Sequence, residues 1–145
     1  MKKGAKGGDS TMTGLRFERE TDLKTSLSRL TGYQVVGNDI LFRGMRVAIS
    51  LKGARLYSDF LSPRGVDHRK ILSKRLLPDE ALYVEAKRTL YVVEKKYQES
   101  PGSVDEKLQT CDYKRKQYLK LVNSVGIGVE FVYVLNSWYE QESYR

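Results

Sequence analysis

The stretch YVVEKKYQESPGSVDEKLQ, Tyr91 to Gln109, begins as a strand and breaks into charge. Leu90, Tyr91, Val92 and Val93 are aliphatic, aromatic or β-branched, residues suited to a pleated, half-buried surface. Glu94, Lys95 and Lys96 follow directly. Where a strand end reaches the surface, such charges are simply solvated. Where it ends at a functional site, it delivers a carboxylate and an ammonium to one point. Side chains alternate between the faces of a strand, so Glu94, Lys96 and Gln98 share a face as far as the strand persists.

The flanking sequence bears on that choice. Ala81 to Ala86 and Thr89 to Tyr97 are strand-like runs joined at Lys87–Arg88, which predicts a tight hairpin. An antiparallel hairpin centred there brings Asp79, at the start of the first run, beside Glu94 near the end of the second. Downstream, Ser103 to Ser124 reads as a helix. SVDE forms a capping box, with Ser103 as N-cap and Glu106 three residues on. Gly126 and Gly128 break the helix, and GVEFVYVL, Gly128 to Leu135, is apolar enough for a buried strand. A strand–helix–strand unit with a right-handed crossover is expected from Glu94 through Leu135.

The N-terminal half fills in the class. Met1 to Ser10 is rich in glycine and lysine without apolar periodicity, so residues 1–12 are expected to form a disordered basic tail. Thr13 to Leu30 reads as one helix, with Leu23, Leu27 and Leu30 at helical spacing and Gly32 as the stop. Continuing that helical phase puts Glu20 on the leucine face and turns Glu18 almost directly away. Tyr33 to Leu51 looks like strands with turns at Gly37 to Asp39 and Arg43–Gly44. The segment 52–77 is basic and weakly patterned, and reads as a loop-rich insertion with one short helix. The expectation is a single α/β domain over residues 13–145, with a central mixed β-sheet flanked by helices.

Composition narrows the function. The chain has 145 residues, 26 Lys and Arg against 18 Asp and Glu, and a net charge of +8. Such a balance attracts polyanions, nucleic acid above all. There is no long apolar run and no signal-peptide pattern, so no membrane partner is expected. Cys111 is the only cysteine and His68 the only histidine, which leaves no zinc cluster and makes a cytoplasmic setting the default. Cys111 reads as a small core residue and most of the ten tyrosines as sheet packing. GAKGG lacks a preceding strand and the serine or threonine of a phosphate loop.

Two carboxylates and a lysine at one sheet edge form a recognisable chemical set. Oxygen ligands suit Mg²⁺, which binds through one or two carboxylates and keeps several waters. A lysine beside the metal orients or deprotonates a water, or neutralises charge on a phosphate. The order Pro78–Asp79, fourteen residues, then Glu94-Lys95-Lys96 resembles the signature of the PD-(D/E)XK nuclease superfamily. That group includes type II restriction endonucleases, archaeal Holliday-junction resolvases and repair nucleases. Its core, a helix carrying an acid, a hairpin with Asp and Glu-x-Lys, a helix and a further strand, is similar in order to this chain from about Thr13 to Leu135.

The resemblance implies a restriction-endonuclease-like core and a Mg²⁺-dependent DNA endonuclease, with Mn²⁺ as an alternative cofactor. It implies Asp79 and Glu94 as metal ligands and Lys96 as the lysine near the attacking water. A first-helix acid joins them: Glu20 by helical phase, Glu18 by the family's spacing in GLRFERE. Gln98 extends the pattern as a support. Arg64, Arg69, Lys70, Lys74, Arg75, Lys107, Lys114 and Gln117 are the candidate DNA contacts. A homodimer is expected, since it places two sites on a duplex. A competing Glu-x-Lys, Glu85-Ala86-Lys87, with Asp67 as an upstream partner, sits at the expected turn, where the same geometry cannot form. The rival readings are a junction resolvase or repair nuclease of the same fold, a non-enzymatic nucleic-acid-binding module, and a protein–protein adaptor.

Overall fold

The computed structural model describes residues 7–99 and 108–142, and its strands form one six-stranded mixed sheet. The strands are β1 (Tyr33–Val36), β2 (Asp39–Phe42), β3 (Met45–Ser50), β4 (Glu80–Val84), β5 (Thr89–Lys96) and β6 (Gly128–Leu135), in that spatial order. β1 to β5 run as an antiparallel meander. β6 lies parallel to β5, and helix α3 (Cys111–Val122) stands between them in the chain. Before the sheet come α1 (Gly7–Glu20) and α2 (Leu23–Ser28). The chain is therefore α/β, as expected. Among the described residues no helix is long and apolar enough to cross a membrane.

The turns follow from local chemistry. Arg43 and Gly44 both have positive φ, 50° and 83°, the pattern of a type I′ hairpin turn whose twist matches its strands. The β4–β5 connection is longer than a two-residue turn. Val84 pairs with Thr89, so residues 85–88 form the loop, with a 3₁₀ turn at Glu85–Lys87 and Arg88 in the left-handed region at φ 47°. The Arg88 guanidinium donates to the carbonyls of Gly126 and Val125 at 3.2 Å, tying the hairpin tip to the entrance of β6. This centre, one residue earlier than Lys87–Arg88, changes every cross-strand partner.

Other elements also depart from the sequence reading. The first helix is two helices. α1 already runs from Gly7, so residues 7–12 are helical rather than part of a tail. α1 ends at Glu20, and α2 restarts after Asp22, whose side chain accepts from the Thr25 N–H at 2.9 Å. Ser103, Glu106 and Lys107 lie outside the described residues. β6 is an edge strand, not a buried one: Val132 and Leu135 are exposed, because nothing among the described strands pairs with its outer side.

The core lies on the sheet face that bears Ala81, Tyr83, Leu90 and Val92. Tyr118, Leu121 and Val122 of α3 pack there, with Leu56, Tyr57, Phe60 and Leu61 from the 52–77 segment. That segment forms a helical turn at Leu56–Leu61 and short 3₁₀ turns at Ser62–Arg64 and His68–Lys70. Its apolar residues are part of the buried core, so it is not a free basic insertion. The Phe60 ring lies 4.7 Å from that of Tyr83, a tilted aromatic pair. Phe60→Ala is expected to cost about 3–5 kcal/mol in urea unfolding. A loss under about 1 kcal/mol would return the segment to the surface.

Candidate active site

The register of the central hairpin sets the site. Glu80 pairs with Val93 and Ala81 with Val92. Extending this ladder one step puts Asp79 directly opposite Glu94, and directly opposed residues share a face. The Asp79 carboxylate Oδ2 accepts the Lys95 backbone N–H at 2.8 Å, so the acid closes the end of the ladder. Glu94 and Lys96 point, with Leu90 and Val92, to the core face that α3 covers. The Glu94 side chain is only 8% exposed. Its Oε2 lies 3.4 Å from Lys96 Nζ and 3.5 Å from Lys114 Nζ of α3. An isolated carboxylate at such a depth would carry a large desolvation cost, and the two ammonium groups offset it. Simple solvation of a strand end is therefore not the reason for these charges.

Lys95 serves the opposite face. Its Nζ lies 2.8 Å from Glu80 Oε1, and each of those side chains is 3% exposed. The same ammonium donates to the Glu18 carbonyl at 3.3 Å, and the same carboxylate oxygen accepts from the Leu23 N–H at 3.3 Å. One buried ion pair thus holds the last turn of α1 and the first residue of α2 against the sheet. This grip brings Glu18 to Asp79: the two line a cavity of about 210 Å³ with Lys52, Gly53, Leu77, Pro78 and Lys95.

Glu20 is not at the site. Its carboxylate pairs with Arg16 at 2.7 Å on the exposed side of α1. Carrying the helical phase through Thr21 and Asp22 placed it inward, but the chain leaves the helix there, so the leucines of α2 do not mark the inner face of α1. Glu18, the alternative, is the first-helix acid beside Asp79. Among the described residues no three His, Cys, Asp or Glu side chains gather as a metal-ligand group. Asp79 instead joins two pairs, with Glu94 across the strands and with Glu18 across the cavity.

Two aromatic residues of the site were not evident in the sequence. Tyr118, an apolar position by periodicity, is fully buried on α3. Burial first, then the Glu94 charge, Tyr57 and the Asp79 charge, hold its phenol well above the ordinary range, so the hydroxyl stays protonated. Tyr133 stands opposite Glu94 on β6. Burial raises its phenol first, with Cys111 and Glu94 adding to the shift and a hydrogen bond to Thr110 opposing it. Gln98 lies just past β5 and is 5% exposed. Its Oε1 accepts from the Tyr139 hydroxyl at 3.1 Å, while Nε2 has no hydrogen-bond partner among the described residues.

The basic candidates divide. Lys114 is in the site, and Gln117 is half-buried on the same helix. Arg64 stacks 3.7 Å from the Phe60 ring centre and donates to the Phe60 carbonyl, so its guanidinium caps the core. Arg69 forks onto Asp67 at 3.0 and 3.2 Å, and Arg75 lies 5.3 Å from the Tyr57 ring. Lys70 and Lys74 are exposed. The competing Glu85 pairs with Arg46 at 2.6 Å, at the opposite end of the hairpin from Asp79.

No protein-family model, no curated protein and no solved structure matches the chain.

The ion pair under α1 has a measurable signature. Glu80→Ala, which leaves Lys95 buried and unpaired, should cost about 3–5 kcal/mol in urea unfolding, and Glu80→Leu with Lys95→Met should recover most of it. A loss under about 1 kcal/mol in Glu80→Ala would mean that the pair is not what holds the two helices.

Proposed function

We propose that this chain is a Mg²⁺-dependent DNA endonuclease with a restriction-endonuclease-like core. The observation that carries the reading is the placement of Asp79, which precedes β4 and accepts the Lys95 backbone N–H at 2.8 Å, at the end of β5 that bears Glu94, with Lys96 3.4 Å from Glu94. Support comes from the surrounding order of elements: an acid-bearing helix, the hairpin, then a helix and a strand parallel to β5. The net charge of +8 suits a polyanionic substrate.

The donor set fits a hard divalent cation. Asp79 and Glu94 are carboxylates, and Mg²⁺ needs only one or two of these beside its waters and substrate phosphate oxygens. Asp79 and Glu94 would hold the metal, and Glu18 would bear on it from the Asp79 side. A cation bound there polarises a phosphoryl oxygen and makes bound water more acidic. Lys96 Nζ orients the attacking water or takes its proton, and Lys114 supplies positive charge toward the phosphate. A homodimer would carry two such sites to the two strands of a duplex.

The test is supercoiled plasmid incubated with Mg²⁺, with Mn²⁺ and with EDTA. Cutting should require the metal, and discrete fragments rather than a smear would mark a sequence-specific enzyme. Lys96→Ala should lower the cutting rate by about 100-fold or more, the scale of a lost proton-transfer group, while binding in EDTA stays within about twofold. Full activity in Lys96→Ala would remove Lys96 from the site. DNA binding without any cutting would favour a non-enzymatic binding module, and preference for a four-way junction over a plain duplex would favour a resolvase.

A further inference from the structure

Lys52 stands outside the acid–lysine set, yet it lines the same cavity as Asp79, Glu18 and Lys95. It also lines a second cavity of about 530 Å³ with Leu15, Glu18, Arg19, Asp22 and Thr25. Glu18 and Lys52 are common to both, so the two cavities adjoin and together form a groove from Asp79 to the α1–α2 junction. Of the two cations in the smaller cavity, Lys95 is committed to Glu80. Lys52 is exposed and makes no side-chain hydrogen bond or ion pair with any described residue. Its charge is nonetheless felt along the groove: Asp22 is held below the usual carboxylate range by its Thr25 hydrogen bonds, with Lys95 and Lys52 adding to the effect.

We propose that Lys52 is a phosphate-binding residue, and that the groove it shares with Glu18 takes the backbone of the strand being cut, one phosphate away from the one at Asp79. The inference rests on the nuclease reading. Three features carry it. The ammonium is unpaired, whereas Lys95 in the same cavity is held by Glu80, so a phosphate need not break an existing contact to reach it. It follows β3 directly, after Leu51, whose backbone N–H is bonded to the Ala81 carbonyl at 2.8 Å. The Lys52 backbone is thereby fixed beside the strand that Asp79 precedes, and only the side chain moves. Glu18, Asp22 and Asp79 put negative charge along the groove, so a flanking phosphate needs local cations there, and Lys52 is the one that lines both cavities without a partner.

The test compares the full chain with Lys52→Ala, Lys52→Arg and Lys87→Ala. Lys87→Ala removes the same charge at the far end of the hairpin. Affinity for a fluorescent DNA duplex is measured in EDTA across a salt series, and cutting is measured with Mg²⁺. Lys52→Ala should weaken binding about tenfold and lower the salt slope by about one, the effect of one lost phosphate contact. It should raise KM more than it lowers kcat. Lys52→Arg should keep most of the affinity, and Lys87→Ala should stay within about twofold of the parent. If the parent cuts DNA and Lys52→Ala matches Lys87→Ala in affinity, slope and KM, the Lys52 assignment is overturned while the nuclease reading stands. If the parent neither binds nor cuts, the nuclease reading fails, and this inference fails with it.

Discussion

The buried ion pair of Lys95 and Glu80 is the contact on which the rest of the site depends. Each side chain is 3% exposed, so neither charge could be kept at that depth without the other. The pair holds both sides of a break in the chain, the Glu18 carbonyl and the Leu23 N–H. A hydrophobic pair could fill the same volume. It could not hydrogen-bond a carbonyl and an amide that the end of one helix and the start of the next leave without helical partners. The ion pair thus fixes the angle at which α1 meets the sheet, and with it the position of Glu18 beside Asp79.

Alternation along one strand divides three consecutive charges between two tasks. Glu94 and Lys96 face α3, where Lys114 adds a second cation to the same acid. Lys95, between them, faces α1 and α2. The Glu94 contacts, at 3.4 and 3.5 Å, are longer than the 2.8 Å contact of Lys95 with Glu80. The two faces therefore differ in kind: a short, sealed pair that anchors helices, and a looser acid with two cations around it. The second leaves Glu94 shared between two cations with no single close partner.

Much of this was legible in the sequence. Strand runs, the turns at Gly37 and Gly44, the β5–helix–β6 unit and the meeting of Asp79 with Glu94 all follow from local patterns of apolar, turn and charged residues. Helical phase alone turns Glu20 inward because an Asx cap that restarts a helix, as Asp22 does, leaves little trace in apolar spacing. The 52–77 segment read as surface because its cations outnumber its regular apolar spacing. Leu56, Tyr57, Phe60 and Leu61 nonetheless bury together, since a tight helical turn can put four such residues on the core without a long periodic run. β6 read as buried because an edge strand with one covered face and a few exposed apolar residues has the composition of a central one.

By itself the sequence determined the α/β class, the hairpin that carries Asp79 and Glu94, and the positive field of the chain. These depend on residues close together along the chain, where alternation and turn chemistry act directly. Tertiary structure alone decided that Glu18 and not Glu20 lines a cavity with Asp79, that Lys114 pairs with Glu94 from a helix on which Tyr118 is buried, and that Lys52 is left unpaired in the groove. Each is a contact between segments far apart in the chain, and its geometry comes from how the helices pack on the sheet, which no local periodicity encodes.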